Sequence, residues 1–348
     1  MNGMIETSRR ILNEEGQGRV FVVADLRPVR DFKMTESPNI AWLNGQLVPY
    51  SQASVPVWDL GVVAGASISE MARTYHHRPF RLADHLARLK RSCAALGFRL
   101  PYEVNELSDA VHRIVAANTR DLAVTADLGI VMFVTAGPNP TYLAATESLE
   151  PTVCVHSFCL PFHRWKDAVS HGVRLRIPDR RQLPADSFPA EYKTRNRLHW
   201  WLADRDVAAR DPGARALLLD AEDRITETAT ACFYTVLNET VITPHYAVLN
   251  SLSRQIVREA CDQVGVRFRI SDLYVNRIDS FQEAFLSSTP SGLLPVASID
   301  DHTLPGTAPG TIVRLLQQEW TKLTGLDTCA QILHHDDSAA SGLPPEHS

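Results

Sequence analysis

Three charged side chains lie in short stretches of sequence where they could do chemistry. Lys193 lies in EYKTRNRL, Glu227 in RITETATA and Arg88 in DHLARL. A neutral lysine amine attacks carbonyl groups, a carboxylate can hold or transfer a proton, and an arginine fork binds phosphate or carboxylate. On spacing alone, each of the three also fits an ordinary solvated surface position.

The compact motifs of several other enzyme classes are absent from the sequence. There is no GxxxxGK[ST] loop, no GxGxxG after a strand, no HExxH and no GxSxG, so nucleotide, zinc-protease and serine-hydrolase sites have no local support. The six cysteines form no CxxC pair, and the pair His76-His77 is typical of a solvated hairpin tip. No metal site is predicted.

Length and composition indicate a folded protein that binds small molecules. A chain of 348 residues favours two domains, and 45% hydrophobic with 22% charged residues is typical of a globular chain. The net charge of -5 argues against nucleic acid as a partner. No apolar stretch resembles a signal peptide or a membrane span, so we expect a cytoplasmic protein.

The first half of the sequence predicts an α+β unit. Asn44-Gly45 favours a tight hairpin, and SISEMARTY followed by HHRPF predicts a second hairpin. Apolar residues at helical spacing predict helices. The predicted elements that follow are two helices, Asp84 to Leu96 and Glu103 to Ala117, and a strand at Ile130 to Thr135.

The second half predicts a sheet-rich unit after a linker between Pro161 and Gly172. A helix is predicted at Arg197 to Arg210, and another at Ser253 to Val264 with Ser253 as its N-cap. The predicted strands are Val173 to Ile177, Ala216 to Leu219, Cys232 to Leu237, Val241 to Thr243, Val266 to Ile270 and Glu283 to Ser287. The end after Gly325 is polar and cannot bury enough surface to fold alone.

An ordered set of motifs resembles the class IV aminotransferases. WLNGQLVP, VWDLGVVAG, SEMARTYHHRPFRLADHLARL, EYKTRNRLHWWLA, ALLLDAEDRITETATACFYTV and EAFLSSTPSGLLPV follow in the family's order. The resemblance covers roughly Ala41 to Ile299. It implies the fold type IV architecture, an α/β (α+β) fold with a smaller N-terminal α+β domain and a larger, β-barrel-like C-terminal domain. We therefore predict an extension at 1–38, domains at 39–165 and 166–325, and a polar tail at 326–348.

The same resemblance implies a cofactor, pyridoxal 5′-phosphate, and the residues that bind it. Lys193 matches the lysine that holds the cofactor as a Schiff base, which only a primary amine can form reversibly. Glu227 matches the glutamate that pairs with the pyridine nitrogen, and Arg88 matches the arginine that binds the phosphate. The other phosphate contacts implied by the match are Leu252, Ser253, Ser288 and Thr289.

The residues that hold the substrate are less well defined by the resemblance. The arginine with which D-amino-acid transaminases bind a carboxylate falls at Ala136. Strand alternation places Ser69, Met71 and Arg73 on one face, where they could line the substrate site. Arg195 and Arg197 are competing candidates for a substrate carboxylate.

The resemblance implies transfer of an amino group from an amino acid to a 2-oxo acid, by a homodimer. Two alternatives stay open. A lyase of the aminodeoxychorismate type is compatible with Asn196-Arg197-Leu198 after the lysine, although such lyases resemble each other in a threonine where this chain has Glu70. A protein that binds the cofactor without turnover is the other alternative, but it would not need Lys193, Glu227 and Arg88 together.

Overall fold

The computed structural model describes residues 39–142 and 150–335. The predicted extension, residues 1–38, lies outside the described residues, as do 143–149 and 336–348. Within the described ranges, no helix is long and apolar enough to cross a membrane. No cluster of three potential metal-binding side chains occurs in those ranges either.

The first half of the chain builds an antiparallel sheet with the strand order β2-β1-β6-β5-β3-β4. The hairpin predicted at Asn44-Gly45 is confirmed, with φ of 47° and 90° at these residues, because a type I′ turn needs positive φ at both positions. The second predicted hairpin, β3 with β4, is also confirmed. The strands are β1 (Ile40–Leu43), β2 (Gln46–Pro49), β3 (Ser67–Tyr75), β4 (Arg78–Pro79), β5 (Leu128–Thr135) and β6 (Val153–Cys159).

Two amphipathic helices cover one face of this sheet. They are α2 (Leu82–Ala95) and α3 (Val104–Asn118), and they follow a one-turn helix, α1 (Leu60–Val63). Leu86 and Ile114 from the helices pack with Ile68 from the sheet in one buried cluster. The two helices agree with their predicted ranges to within two residues, because their apolar stripes are long and regular.

The second half builds a nine-stranded mixed sheet in the order β12-β11-β10-β13-β14-β7-β8-β9, with β15 paired to β14. All six predicted strands are present. Among the strands that were not predicted, β9 is short and polar, and β14 contains Pro295, which argues against a strand in sequence. The strands are β7 (Val173–Arg176), β8 (Arg215–Leu219), β9 (Ile225–Thr228), β10 (Cys232–Leu237), β11 (Thr240–Thr243), β12 (Arg267–Ile270), β13 (Glu283–Ser288), β14 (Gly292–Ile299) and β15 (His302–Thr303).

Within residues 150–335, five helices accompany the second sheet. Trp200 of α5 packs with Leu218 of β8, while Ile256 of α6 and Leu316 of α7 pack with Phe285 of β13. These helices therefore each bury one face against the sheet. The helices are α4 (Lys166–His171), α5 (Leu198–Ala208), α6 (Leu252–Val264), α7 (Thr311–Thr324) and α8 (Thr328–His334).

The segment predicted as a linker and the start of the predicted polar tail both contain helices. The predicted linker contains a 3-10 turn (Phe162–Trp165) and α4, and its residues Phe162 and Val169 are buried in the core of the second sheet. The predicted tail begins with α8, in which Ile332 is fully buried. Both segments fold because they pack on a core built by distant parts of the chain. The domain boundary at 165/166 falls between β6 and β7 and stays a prediction.

Candidate active site

A cavity of about 570 Å³ is lined by residues from both sheets. Glu70 and Arg88 come from β3 and α2, and Glu227 comes from β9 of the second sheet. Lys193 lies between them on the segment that precedes α5. A concave site with several convergent charged groups is the usual form of a small-molecule site.

The position of Lys193 is set by backbone pairing with β3. The N–H of Ser69 donates to the Lys193 carbonyl at 2.7 Å, and the N–H of Arg195 donates to the Ser67 carbonyl at 2.9 Å. Thr194 thereby forms an isolated bridge with Ile68. An irregular segment is thus held like an added strand, which orients the lysine side chain toward the cavity.

The amine of Lys193 lies in an environment that disfavours its charge. Burial lowers its pKa from 10.5 to about 8, and the positive charges of Arg197 and Arg88 act in the same direction. Glu70 and Glu227 oppose the shift. A larger fraction of the amine is therefore neutral, and nucleophilic, at physiological pH than in a solvated lysine.

Glu227 shows the opposite perturbation in the same cavity. Burial raises its pKa from 4.5 to about 7, while the N–H of Leu249 and the charges of Arg197 and Lys193 lower it. The N–H of Leu249 donates to Glu227 Oε1 at 3.2 Å. A cationic ring nitrogen beside this carboxylate would stabilise its charged form, because an opposite charge favours ionisation.

Arg88 is held in place by Glu70. Arg88 donates to Asn250 O at 3.1 Å and to Glu70 through both Nε and Nη2. His85 Nδ1 lies 2.9 Å from Glu70 Oε1. Burial by itself would raise the pKa of Glu70, but the charge of Arg88 with hydrogen bonds from His85 and Arg88 holds that pKa well below its usual value.

Glu70 was not predicted as a site residue from the sequence, where it served only as an argument against the lyase alternative. A signal was present, since a glutamate within an apolar strand, followed by a helix that carries His85 and Arg88, predicts a buried ion pair. Nearly complete burial of charged groups requires partners of this kind. Glu70 is 1% exposed.

The start of α6 and the turn after β13 bring hydroxyl groups to the cavity. Ser253 Oγ lies 2.7 Å from Ser251 Oγ and accepts a hydrogen bond from Ser287 Oγ at 2.9 Å. Ser288 and Thr289 also line the cavity. The N-cap of α6 is Ser251, so the prediction of Ser253 as N-cap is wrong, and Ser253 lies in the first turn.

This set of donors fits the phosphate of pyridoxal 5′-phosphate. The first N–H groups of a helix lack intrahelical acceptors and attract anions, and at α6 these include the N–H groups of Leu252 and Ser253. The Leu252 side chain itself is buried. Arg88 and the serine hydroxyls supply further donors, while Lys193 and Glu227 suit the aldehyde and the ring nitrogen.

Four of the five predicted substrate residues line the cavity. Ser69, Met71, Arg195 and Arg197 are present in its wall. The guanidinium of Arg195 lies 4.6 Å from the centre of the Phe133 ring. Arg197 acts electrostatically on both Lys193 and Glu227, which places it nearer to the reacting groups.

The prediction that Arg73 binds substrate is wrong. Arg73 is fully buried and does not line the cavity. It donates to Pro290 O at 2.9 Å and to Gln331 Oε1 at 2.8 Å, and it lies 3.5 Å from Asp127 Oδ2. Side-chain alternation along β3 predicted that Arg73 shares a face with Ser69 and Met71. At the Arg73 end of the strand, however, that face is covered by α8.

Further cavity residues were not predicted. The sequence carried no signal for Arg215, which precedes the apolar residues of β8 like any charged residue at a strand end. These further lining residues include Arg164, Tyr192, His199 and Arg215.

Comparison with known proteins gives consistent matches. A family model described as amino-transferase class IV matches residues 67–299. The D-alanine aminotransferase of Bacillus licheniformis is 27% identical over 278 residues, which cover 79% of this chain and 93% of that protein. A probable branched-chain-amino-acid aminotransferase of Rickettsia felis is 26% identical over 264 residues, covering 74% of this chain and 86% of that protein.

Solved structures show the same architecture. The branched-chain aminotransferase of Thermoproteus uzoniensis, crystallised with norvaline, has a TM-score of 0.73 at 25% identity and covers 82% of this chain and 95% of its own. The branched-chain amino acid aminotransferase of Thermobaculum terrenum, in its PLP-form, has a TM-score of 0.72 at 22% identity, covering 83% and 95%. The predicted fold type IV architecture, with a barrel-like second sheet, is confirmed.

Proposed function

The chain belongs to the class IV aminotransferase family, and on that premise we propose that the cavity around Lys193 is its active site. The enzyme depends on pyridoxal 5′-phosphate, as its class does. It moves an amino group from an amino acid to a 2-oxo acid. One observation carries the assignment of the site, namely that Lys193, Glu227 and Arg88 converge on one cavity from three separate segments.

Each of the three residues has a distinct task in this proposal. When bound, the cofactor withdraws electrons from the substrate carbon that loses its proton. Glu227 keeps the proton on the ring nitrogen, and the Lys193 amine, once the substrate amine has replaced it, carries a proton between the substrate α-carbon and the cofactor carbonyl carbon. Arg88 binds the phosphate equally before and during the reaction, so it sets affinity more than rate.

The cofactor phosphate is proposed to bind where α6 begins. Glu70 keeps the Arg88 fork oriented, and the remaining donors surround the phosphate from the second sheet. A site built on helix and strand ends is held rigidly, which supports precise placement of the ring. These remaining donors are Leu252, Ser253, Ser288 and Thr289.

The substrate is proposed to bind between β3 and the segment that carries Lys193. Ser69 and Met71 form the wall on the strand side. Arg197 is the favoured partner of the α-carboxylate, because its charge reaches both Lys193 and Glu227. Arg195 lies over Phe133 and is the second choice, because it does not act on the charges of Lys193 and Glu227 in the same way.

A homodimer and a cytoplasmic location are part of the same proposal. Val57 and Val62 are 75% and 57% exposed, and Trp58 beside them is 44% exposed. Clustered exposed apolar side chains support an interface. All six cysteines are free thiols, which suits a reducing compartment.

Two experiments test the proposed site and reaction. Borohydride reduction of the holoenzyme should attach the cofactor permanently to Lys193, and peptide mapping locates the label. Lys166→Ala should keep the label and Lys193→Ala should lose it, since Lys166 donates to His335 O and does not line the cavity. A label on Lys166 would contradict the assignment.

The second experiment separates transferase from lyase. Turnover should require a 2-oxo acid, with ping-pong kinetics, and the amino form of the cofactor should accumulate without that acceptor. Sustained pyruvate release from aminodeoxychorismate with no acceptor present would overturn the transferase assignment. Bound cofactor with no conversion by any amino acid would favour a binding protein without turnover.

A further inference from the structure

A row of hydrogen-bonded side chains leads from the start of α6 to Glu227. Ser287 Oγ donates to Ser253 Oγ at 2.9 Å, and Ser253 Oγ lies 2.7 Å from Ser251 Oγ. The Ser251 hydroxyl also hydrogen-bonds the Cys232 thiol, and Cys232 Sγ lies 4.0 Å from Glu227 Oε2. Each side chain before Glu227 is at most 6% exposed. We call these four the hydrogen-bond relay: Ser287, Ser253, Ser251 and Cys232.

Each hydroxyl or thiol has one hydrogen to donate, which fixes the direction of the relay. Burial raises the pKa of the Cys232 thiol to about 11, and a hydrogen bond from Ser251 acts in the opposite direction. The thiol therefore keeps its hydrogen at neutral pH, and Ser251 is the donor in that bond, because donation favours the thiolate. Ser253 must then donate to Ser251, and the Cys232 hydrogen is left for Glu227. Every donor in the relay thus points toward Glu227.

Ser251 serves this relay instead of capping its helix. It occupies the N-cap of α6, where a serine side chain usually accepts a hydrogen bond from an N–H of the first turn. Among the described residues, its side chain makes no such bond. The first N–H groups of α6 are thus left for an anion, and the Ser251 hydroxyl is left for Ser253 and Cys232.

Glu227 has few other donors to hold its charge. Within the described ranges, its other hydrogen-bond partner is the N–H of Leu249, 3.2 Å from Oε1. Burial raises its pKa to about 7, whereas the facing charges of Arg197, Lys193 and Arg254 lower it. A hydrogen bond to the charged form of a carboxyl also lowers its pKa. Donation from the thiol therefore makes Glu227 hold a proton less firmly.

We propose that the relay reverses when the cofactor phosphate binds, so that its hydrogens point to the phosphate and no longer to Glu227. The inference rests on the proposed function, which places the phosphate beside Ser253. Once Ser253 donates to the phosphate, Ser251 can donate to Ser253, and Cys232 to Ser251. Each change is the rotation of one O–H or S–H bond, and no proton leaves its atom.

The reversal prepares Glu227 for the ring nitrogen. A phosphate monoester carries a charge of about -1.5 to -2 at neutral pH, whereas Glu227 carries at most a single negative charge, so the phosphate attracts the donors more strongly. Without the thiol donor, Glu227 holds the proton of the ring nitrogen more firmly. Ser251 and Cys232 are therefore positioning residues, which act through Ser253 and Glu227.

Ionisation of Glu227 in the apoenzyme tests the reversal, with sulfate as a phosphate mimic that does not titrate over the same pH range. The infrared absorbance of the protonated carboxyl, assigned by its loss in Glu227→Gln, gives the pH of half-ionisation. Sulfate should raise this pH in the wild type, relative to chloride at equal ionic strength. In Cys232→Ala it should already be about half a pH unit higher in chloride, the scale of one weak hydrogen bond. In sulfate, Cys232→Ala and the wild type should agree.

Ser251→Ala separates the relay from the thiol itself. The Cys232 thiol can then donate only to Glu227, so this variant should titrate like the wild type in chloride. Sulfate should raise its half-ionisation pH by about half a pH unit less than in the wild type. Cys261→Ala is the control, because that thiol is also fully buried but does not line the cavity. It should match the wild type in both salts.

The outcomes separate the relay from the proposed function. An equal response to sulfate in the wild type, Cys232→Ala and Ser251→Ala would overturn the reversal. Borohydride labelling of Lys193 would in that case leave the proposed active site standing. Sulfate that does not compete with the cofactor for the apoenzyme would instead contradict the proposed phosphate position, and the reversal with it.

Discussion

The guanidinium of Arg88 is clamped by the carboxylate of Glu70, with Nε 2.7 Å from Oε2 and Nη2 2.5 Å from Oε1. Both side chains are almost completely buried. A buried pair of this kind strongly resists removal of one partner, because the other is left as an uncompensated charge. The orientation of Arg88, which we propose binds the phosphate, therefore depends on Glu70, a strand residue that need not touch the phosphate itself.

Glu70→Gln should weaken cofactor binding and stability together. We expect a loss of about 3 kcal/mol in the free energy of unfolding and at least about 10-fold weaker binding of the cofactor, since one charged hydrogen bond to Arg88 is lost. Cofactor titration and urea unfolding measure the two effects. Glu259→Gln is the control, because it breaks the more exposed pair with Arg81 and should cost less than about 1 kcal/mol. Equal effects in both variants would contradict the role of Glu70.

The rate at which cofactor attaches to Lys193 in the apoenzyme should follow the pKa of its amine. That pKa is lowered to about 8, and only the neutral amine attacks the aldehyde. The rate should rise with pH and level off above about 8. Arg197→Met removes a positive charge that lowers the pKa of Lys193. In this variant the pKa should rise, and the attachment rate should reach its plateau at a higher pH than in the wild type. A wild-type plateau reached only near the ordinary lysine value of 10.5 would contradict the buried environment.

Glu227→Gln should keep the cofactor but lose turnover. The amide fills the same space without stabilising a protonated ring nitrogen, so kcat should fall about 100-fold or more, the scale of one preorganised electrostatic contact. Single-turnover kinetics should place the loss in the chemical step. Glu222→Gln is the control, since Glu222 is exposed and pairs with Arg224. Wild-type rates in Glu227→Gln would show that another group faces the ring.

The stability of the apoenzyme should report the raised pKa of Glu227. The folded state holds this proton up to about pH 7, whereas the unfolded carboxyl loses it near the ordinary value of 4.5. Between these values the folded state binds more protons, so the contribution of Glu227 to stability falls as pH rises. Relative to Glu227→Gln, the wild type should lose stability from about pH 4.5 to 7 in urea unfolding. A constant difference over that range would contradict the shift.

Arg73→Met should lower the free energy of unfolding and should have little effect on substrate binding. Removal of Arg73 leaves Asp127 buried without its cation, which costs about 3 to 5 kcal/mol, and it frees the Pro290 carbonyl in the turn that follows β13. Arg197→Met should do the reverse, with a raised KM for amino acids and a small change in unfolding free energy. A stable Arg73→Met with raised KM alone would return Arg73 to the substrate site.

Local patterns determined much of the fold, and the resemblance to a family supplied the three principal site residues that we propose. The helices α2 and α3 and the hairpin at Asn44-Gly45 were predictable because a regular apolar stripe and a turn that needs positive φ are encoded by neighbouring residues. Lys193, Glu227 and Arg88 are proposed because the motifs around each of them resemble those of the class IV aminotransferases. Short polar β9 and proline-containing β14 were missed, since their pairing depends on distant strands.

Only the tertiary structure decided which charged residues share the cavity and which are buried as pairs. Arg73 and Arg215 look alike in sequence, as arginines in or before a strand. Asp127, which precedes β5, and Gln331 of α8 both lie against Arg73. In contrast, β8 begins at the cavity wall and places Arg215 there. Burial and the position of opposite charges determine the state of an ionisable group, and both arise from contacts between segments that lie far apart in the chain.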